Sequence, residues 1–176
     1  MLVNPERAMM FAEIAHSGQT YNDEVPYVYH VRKVVEVLKR FHSLEPLSPE
    51  LECAACLHDV LEDTNKSFND IKERFGVRVA ELVYTVTNEL GRNRDERNAK
   101  TYPKIKGHQE ATMLKLADRI ANVEFGSANG GMVDRYRKEY QKFKDGIRFP
   151  LDETPIITRM WAHLDSLLEE RKETNL

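Results

Sequence analysis

The segment Leu57-His-Asp-Val-Leu-Glu-Asp-Thr64 holds four ionisable side chains within six positions. On a helix, residues three and four positions apart share a face, so His58, Asp59, Glu62 and Asp63 are expected within one turn of each other. The alanine, leucine and valine residues around them predict that the cluster is at least half buried. Buried charges are costly unless a cation or hydrogen bonds compensate them. The segment therefore predicts a helix that holds a metal ion beside a water molecule.

Length and composition predict one ordinary soluble domain. The chain has 176 residues, of which 41% are hydrophobic and 31% are charged, and this is enough to bury a sizeable core. Its net charge of −3 gives no overall field that favours nucleic acid or a membrane surface. No apolar run approaches membrane-spanning length, and the first ten residues carry charges where a signal peptide needs an apolar core. We expect a cytoplasmic protein that binds neither nucleic acid nor membranes.

Apolar residues recur at three- and four-residue steps through almost the whole chain, which is typical of amphipathic helices. One such helix is predicted over 49–62, where Ser48 is a cap and Pro49 takes the first helical position. The segments 17–26 and 90–107 are rich in Gly, Asn, Asp and Pro, so they are predicted to be loops. No strand is predicted. We expect an all-α fold, a single bundle of about eight helices.

Two residues on other predicted helices are candidates to complete a ligand set around His58 and Asp59. They are His30 and Asp118. Two imidazoles and two carboxylates, without a thiolate, suit a divalent metal that keeps positions for water, such as Mn²⁺, Fe²⁺ or Zn²⁺. The general affinity order favours zinc over manganese, so the ligand types leave the physiological metal open.

Three motifs resemble, in order and spacing, the HD superfamily of hydrolases, and specifically the RelA/SpoT type of alarmone hydrolase domain. They are Tyr27-Val-Tyr-His30, Leu57-His-Asp-Val-Leu-Glu-Asp-Thr64, and Lys115-Leu-Ala-Asp-Arg119 with Asn122. The His-Asp pair marks the whole superfamily, whereas the Glu62-Asp63 pair is the signature of the alarmone-hydrolysing branch. The resemblance implies a single HD domain over 1–176, with a metal core at about 8–125 and C-terminal helices over 132–172 packed on it.

The resemblance also implies a role for each matching residue. The two histidines and two aspartates named above would bind one Mn²⁺ ion, with Zn²⁺ or Fe²⁺ as other possible metals. Glu62 and Asp63 would orient or deprotonate the attacking water, and Asn122 would hydrogen-bond the nucleotide. The implied reaction is that of a metal-dependent phosphohydrolase, which cleaves guanosine tetra- or pentaphosphate at the 3′ position to pyrophosphate and GDP or GTP.

The chain departs from the family pattern where the base is held. Alarmone hydrolases of this type usually place an Arg-Lys pair and Ser-Gly at the positions of Tyr21-Asn-Asp-Glu24, and a threonine at the position of Phe125. Tyr21 is thus a candidate to stack on a purine, or on a neighbouring helix. The basic segment 91–106 is predicted to be either a solvated loop or a phosphate clamp. The candidates for the clamp are Arg92, Arg94, Arg97, Lys100 and Lys104.

Three functions are open at this point. The first is a stand-alone alarmone hydrolase that acts on a small nucleotide. The second is a sister enzyme with the same metal centre that acts on another substrate, such as a nucleoside monophosphate or NADPH. The third is a metal-containing module that senses a nucleotide without turning it over. The last predicted helix, which contains Trp161, suits packing on its own domain or on a second subunit, so a homo-oligomer is also open.

Overall fold

The computed structural model describes residues 3–129 and 133–169. These residues form ten α-helices, one two-stranded ribbon and a 3-10 turn at Pro150–Asp152. The helices are α1 (Pro5–Ala15), α2 (Val28–Phe41), α3 (Pro49–Leu57), α4 (Val60–Asp63), α5 (Phe68–Phe75), α6 (Val77–Val86), α7 (Arg94–Ile105), α8 (Gln109–Asn129), α9 (Val133–Ile147) and α10 (Pro155–Glu169). The predicted all-α fold is confirmed.

The predicted absence of strands was wrong at one short hairpin. Strand β1 (Thr20–Tyr21) pairs antiparallel with β2 (Val25–Pro26). The two residues at the tip, Asn22 and Asp23, have φ values of 53° and 59°. Asparagine and aspartate tolerate this left-handed conformation, which the two central positions of a type I′ turn require, and Glu24 N bonds to Tyr21 O at 3.2 Å across this turn. Because only two residues pair on each side, the sequence shows no alternating pattern that would predict a strand.

The segment 90–107, predicted as a loop, contains helix α7. The Asn93 side chain accepts a hydrogen bond of 2.9 Å from the backbone nitrogen of Glu96, which caps the helix at its start. The loop prediction relied on the polar composition and on Pro103, yet this proline lies inside the helix. A buried face compensates, since three residues of the helix are buried: Thr101, Tyr102 and Ile105.

The helix predicted over 49–62 is broken at the residues of greatest chemical interest. Helix α3 ends at Leu57 and α4 begins at Val60, so His58 and Asp59 lie at the junction. Asp59 has φ −100° and ψ −3°, outside the usual helical range of ψ. The backbone nitrogen of Asp63 still bonds to Asp59 O at 2.9 Å. The break thus places His58 and Asp59 outside a regular helix, and the chain continues as α4, which is one short helical turn.

Helices α2, α3 and α8 pack against one another and carry the predicted ligands near their contacts. Small and branched apolar side chains fill the space between them, among them Val31, Val34, Ala54, Ala55, Ala117 and Ile120. Helix α9 packs on α7 and α8, and α10 packs mainly on α8. Met132 and residues 170–172 of the range predicted for the C-terminal helices lie outside the described residues. Within the described part, no helix combines the length and apolar character needed to cross a membrane.

Candidate metal centre and active-site cavity

Four side chains from α2, the α3–α4 junction and α8 converge. The two imidazole nitrogens, His30 Nε2 and His58 Nε2, are 3.3 Å apart. Asp59 Oδ2 lies 2.9 Å from His58 Nε2 and 3.6 Å from His30 Nε2. Asp118 Oδ1 lies 3.4 Å from His30 Nε2 and 4.0 Å from His58 Nε2. Donor atoms of His30, His58 and Asp118 all lie within 4.8 Å of one another. The four predicted ligands are thus brought together.

The protonation of His58 tests whether a cation fits among these atoms. His58 Nδ1 lies 2.9 Å from the carbonyl oxygen of Ala55, which only accepts, so Nδ1 carries the hydrogen. In the neutral ring, Nε2 then presents a lone pair towards the Asp59 carboxylate and the second imidazole. Such a group of lone pairs requires a proton or a cation between them. A ligand histidine whose other nitrogen donates to a backbone carbonyl is the usual arrangement at metal sites. The donor set therefore fits a divalent ion.

The pKa shifts of these four side chains also favour a bound cation. Burial lowers the pKa of His30, but hydrogen bonds to Asp118 and Asp59 outweigh this effect and raise it to about 9. Burial also lowers the pKa of His58, and the charge of Asp59 more than reverses this effect. Burial raises the pKa of both aspartates, but nearby positive charges outweigh this effect. The charge of His58 holds the pKa of Asp59 below its usual range, and the charge of Lys115 does the same for Asp118. The cluster thus stabilises positive charge at its centre.

Tyr27 fixes the carboxylate of Asp59. Its hydroxyl donates to Asp59 Oδ2 at 2.7 Å and to Asp63 Oδ2 at 2.9 Å. Its ring stacks on that of His16, with centroids 4.4 Å apart. Burial, with the charges of Asp59 and Asp63, raises the pKa of Tyr27, so the hydroxyl keeps its proton and remains a donor. Tyr27 begins the first of the three motifs, but no pattern in the sequence indicates this bond.

Asp118 is held by two further side chains of α8. Lys115 Nζ lies 3.1 Å from Asp118 Oδ2, and Asn122 Nδ2 donates to Asp118 Oδ1 at 2.6 Å. The spacings of three and four residues place all three groups on one helix face. Asn122 was predicted to bind the nucleotide, and in the structure its amide group also supports a candidate ligand.

Glu62 lies at the rim of the cavity and is oriented by Asn88, which follows α6. Asn88 Nδ2 donates to both carboxylate oxygens of Glu62 at 2.9 Å, and the Asn88 backbone nitrogen lies 3.3 Å from Oε2. Asp63 also lines the rim. Partial burial of its carboxylate, with the nearby charge of Asp59, raises the pKa of Asp63. The rim therefore presents two carboxylates close to the four candidate metal ligands. No motif marks Asn88 in the sequence.

A polar cavity of about 650 Å³, including its part open to solvent, contains these groups. Three basic side chains line it as well, namely Arg94, Lys115 and Arg119. Arg94 was predicted as a phosphate contact, and it faces this cavity from α7. Cations and a candidate metal site in one cavity suit a ligand that carries phosphate groups.

Lys100 and Lys104 do not line this cavity. Lys100 Nζ bonds to Leu90 O at 2.9 Å and to Glu96 Oε1 at 3.0 Å. Lys104 Nζ donates to Tyr84 O at 3.1 Å and to Thr87 O at 2.9 Å, so it caps the end of α6. Since 94–105 is a helix, its basic side chains point in different directions, and of the five candidates for the clamp only Arg94 lines the cavity.

An aromatic cavity of about 600 Å³ adjoins the polar one. Tyr21, Tyr27, Asn122 and Tyr136 line both cavities, and Phe125 lines the aromatic one. The ring of Tyr21 packs on the edge of Phe125, with centroids 4.8 Å apart and planes at 65°. Aromatic walls of this kind suit a flat apolar group such as a nucleobase.

Comparison with known proteins identifies the family. The family model described as "HD domain" matches residues 8–142. The chain belongs to the HD-domain family. The predicted resemblance to the HD superfamily is therefore confirmed.

Several curated relatives are named as alarmone hydrolases. The chain is 32% identical to guanosine-3′,5′-bis(diphosphate) 3′-pyrophosphohydrolase MESH1 of Drosophila melanogaster over 80% of this chain and 82% of that protein. It is 36% identical to the Aquifex aeolicus 3′-pyrophosphohydrolase over 68% of this chain, which spans only 17% of that longer protein. These HD-domain relatives are enzymes, in agreement with the predicted enzyme class.

Solved structures show the same fold. One, described as a metazoan ortholog of SpoT that hydrolyzes ppGpp, matches with a TM-score of 0.80 and 27% identity over 95% of this chain and 94% of that chain. A protein from Listeria monocytogenes EGD-e matches with a TM-score of 0.62 and 26% identity over 81% of this chain and 96% of that chain. The two solved structures thus share the fold over 95% and 81% of this chain.

Proposed function

We propose that this HD-domain protein is a metal-dependent pyrophosphohydrolase that removes the 3′-diphosphate of guanosine tetra- or pentaphosphate. The products are pyrophosphate and GDP or GTP. The observation that carries the proposal is the convergence of two imidazoles and two carboxylates in a cavity whose rim holds Glu62. The named activity of the Drosophila relative, which matches over most of both chains, supports the substrate.

His30, His58, Asp59 and Asp118 would hold one divalent ion, which we propose is Mn²⁺; Zn²⁺ and Fe²⁺ suit the same donors. When bound, such an ion lowers the pKa of a water molecule and offsets the charge that develops on phosphoryl oxygens. Tyr27 keeps Asp59 in place through the 2.7 Å bond described above. A side chain that orients a ligand in this way usually affects metal affinity.

Glu62 accepts a proton from the attacking water, with Asp63 beside it. The water oxygen bonds to the phosphorus next to the ribose 3′ oxygen, and the bond between that phosphorus and the 3′ oxygen breaks. The proton passes to the 3′ oxygen of the departing nucleoside diphosphate or triphosphate, and the hydroxyl remains on pyrophosphate. Asn88 holds Glu62 in the orientation that this proton transfer needs.

A second candidate is a sister enzyme that hydrolyses another nucleotide, such as a nucleoside monophosphate or NADPH. It is favoured by the aromatic cavity, where Tyr21 and Phe125 lie at positions that alarmone hydrolases usually fill with a cationic and a hydroxyl side chain. An aromatic wall stacks on any base, so it selects guanine less strictly than a set of hydrogen bonds.

Purified protein with Mn²⁺ should be assayed against guanosine tetraphosphate, NADPH and nucleoside monophosphates, with EDTA as the control. Release of pyrophosphate from guanosine tetraphosphate that requires the metal would support the first proposal. Orthophosphate release from the other substrates alone would favour the sister enzyme. Binding of a nucleotide without turnover would indicate a sensing module. A cytoplasmic location and a homo-oligomeric state remain predictions.

A further inference from the structure

Two arginines that line the polar cavity share one carboxylate. Arg94 Nε donates to Glu139 Oε1 at 2.8 Å and to Oε2 at 3.0 Å. Arg119 Nη1 lies 3.8 Å from Glu139 Oε2, which is too far for a hydrogen bond. The three residues come from α7, α8 and α9, so they meet only in the folded protein. Two guanidinium groups and one carboxylate leave one positive charge without a counter-ion in the cluster.

The guanidinium of Arg119 is buried and stacks on two aromatic rings. The exposed fraction of Arg119 is 5%, and its guanidinium lies over the rings of Tyr136 and Phe143, with 4.6 Å and 4.2 Å to their centroids. Stacking fixes the plane of the guanidinium and leaves its edge free to donate. Nη1 is buried and has no hydrogen-bond partner within the described part of the chain. An unpaired buried donor on a charged group is costly, which indicates a partner that is polar and negative.

A phosphoryl group matches these donors. Forked guanidinium nitrogens bind pairs of phosphate oxygens with good geometry, and the residual positive charge favours an anion over a sugar or a base. Lys115, the third basic residue of the cavity, is already paired with Asp118. The free donors therefore belong to the Arg94–Arg119 pair and not to the metal cluster.

We infer that Arg94 and Arg119 form a second phosphate subsite, in which Glu139 competes with the incoming phosphoryl group. The inference rests on the proposed function, and it adds the place where the second phosphorylated position of the nucleotide binds. One phosphate group lies at the metal cluster and the other lies at the arginine pair. A nucleoside monophosphate cannot fill both places, so it is a poorer substrate.

The subsite can be tested without metal, by titrating inorganic pyrophosphate into the full-length protein in EDTA and measuring heat. Arg94→Gln and Arg119→Lys should each weaken binding about tenfold, since each removes part of the donor fork. Glu139→Gln should strengthen binding severalfold, because it removes the internal competitor. Lys100→Gln is the matched control, as it removes one positive charge from α7 outside the cavity and should leave affinity within about twofold of wild type.

An unchanged affinity in Arg94→Gln, or a Glu139→Gln variant that binds no more tightly than wild type, would overturn the inference. Equal weakening by Lys100→Gln would also overturn it, since it would show a general charge effect. Arg94 is 39% exposed, so its replacement tests the subsite even if Arg119→Lys fails to fold. Hydrolysis of guanosine tetraphosphate by the wild type is scored separately. If hydrolysis occurs while both arginine variants bind pyrophosphate normally, the subsite is wrong and the proposed function stands.

Discussion

The ring of Tyr21 lies flat against the imidazole of His30, with centroids 4.7 Å apart and planes at 14°. The Tyr21 hydroxyl donates to Asn122 Oδ1 at 2.5 Å, and Asn122 Nδ2 donates in turn to Asp118 Oδ1 at 2.6 Å. One side chain on the hairpin thus contacts one candidate metal ligand directly and a second through an amide. Burial raises the pKa of Tyr21, so its hydroxyl remains a donor at neutral pH.

Replacement of Tyr21 is expected to weaken metal binding. Tyr21→Phe keeps the ring and loses the hydroxyl, so Mn²⁺ affinity should fall a few-fold. Tyr21→Ala loses both contacts and should weaken affinity by about 10-fold to 100-fold, as is usual for groups that orient ligands. Titration calorimetry with Mn²⁺ measures both effects. Tyr84→Ala is the control, because Tyr84 is 51% exposed and lines neither cavity. Wild-type affinity in Tyr21→Ala would exclude this positioning role.

Removing one carboxylate ligand should abolish metal retention. Asp59→Ala and Asp118→Ala each leave an incomplete set of donors, so bound metal and activity should be lost together. Metal content after gel filtration, and the rise in melting temperature on adding Mn²⁺, report the loss directly. Asp95→Ala is the matched control, since the Asp95 side chain is 70% exposed and pairs with Lys142. An Asp118→Ala protein with full metal content would rule out the assignment of that ligand.

Glu62→Gln should separate chemistry from metal binding. The amide cannot take up the proton, so kcat should fall about a hundredfold or more, while metal content stays at the wild-type value. Asn88→Ala should give a smaller fall in kcat, about tenfold, because Glu62 keeps its carboxylate but loses its orienting donors. Steady-state kinetics and metal analysis on the same preparations give both values. Full activity in Glu62→Gln would assign this residue a structural role.

Replacement of two basic residues of α7 should have different effects on KM. Arg94→Gln should raise KM for guanosine tetraphosphate, because the guanidinium lines the cavity. Lys104→Met should leave KM unchanged and lower the melting temperature, because its ammonium group bonds to two carbonyl oxygens at the end of α6 and pairs with Glu89 at 2.7 Å. Kinetics and thermal unfolding of both variants make the comparison. A higher KM in Lys104→Met would show that the basic segment acts as a whole.

Asp165 should make the stability of the C-terminal helices depend on pH. Burial raises the pKa of Asp165, but hydrogen bonds from Lys144 and Tyr140 outweigh it and lower the value below its usual range. A carboxyl whose pKa is lower in the folded protein stabilises the fold at pH values above its pKa in the unfolded chain, which is about 3.9. This stabilisation is lost as the pH falls through the pKa of the folded protein. The side chains of Lys144 and Asp165 are 20% and 35% exposed, so solvent screening limits the contribution to about 1 kcal/mol.

Urea unfolding of wild type and Asp165→Asn measures this contribution. At pH 7 the wild type should be more stable by about 1 kcal/mol, and the difference should shrink below about pH 4 as the carboxyl gains its proton. Asp134→Asn is the control, since its side chain is 79% exposed. A difference that is constant from pH 7 to acid would show that the charge of Asp165 has no part in it.

The convergence of the four candidate metal ligands was predictable because their spacing in the sequence carries a signal. His58 and Asp59 are adjacent, and His30 and Asp118 lie in recognisable motifs on helices with clear apolar periodicity. The break between α3 and α4 was not predictable, since the apolar pattern runs through it without interruption. Helix α7 was missed because the Asn93 cap stands among residues of loop-like composition, and because Pro103 is a strong local breaker.

The parts of the site that were not predicted depend on contacts between residues far apart in the sequence. Asn88 and Glu62 are 26 positions apart, and Arg94 and Glu139 are 45 positions apart. No periodicity relates such pairs, so only the packing of the helices brings them together. The directions of Lys100 and Lys104 depend likewise on the rotation of α7, which composition does not reveal. Sequence reasoning thus found the groups that lie in recognisable motifs, and it missed Asn88 and Glu139, which no motif marks.

The hairpin between α1 and α2 lines the aromatic cavity through Thr20, Tyr21 and Asn22 and the polar cavity through Tyr21, while the candidate metal ligands come from helices and the α3–α4 junction. Its tip tolerates few residue types, but the side chains beside the tip are not needed for the helical core. Substitutions in the ribbon at positions such as Thr20, which lines the aromatic cavity but not the polar one, would alter which nucleotide enters without disturbing the machinery that cleaves it. Natural variation among relatives is therefore expected to concentrate there when substrate preference diverges.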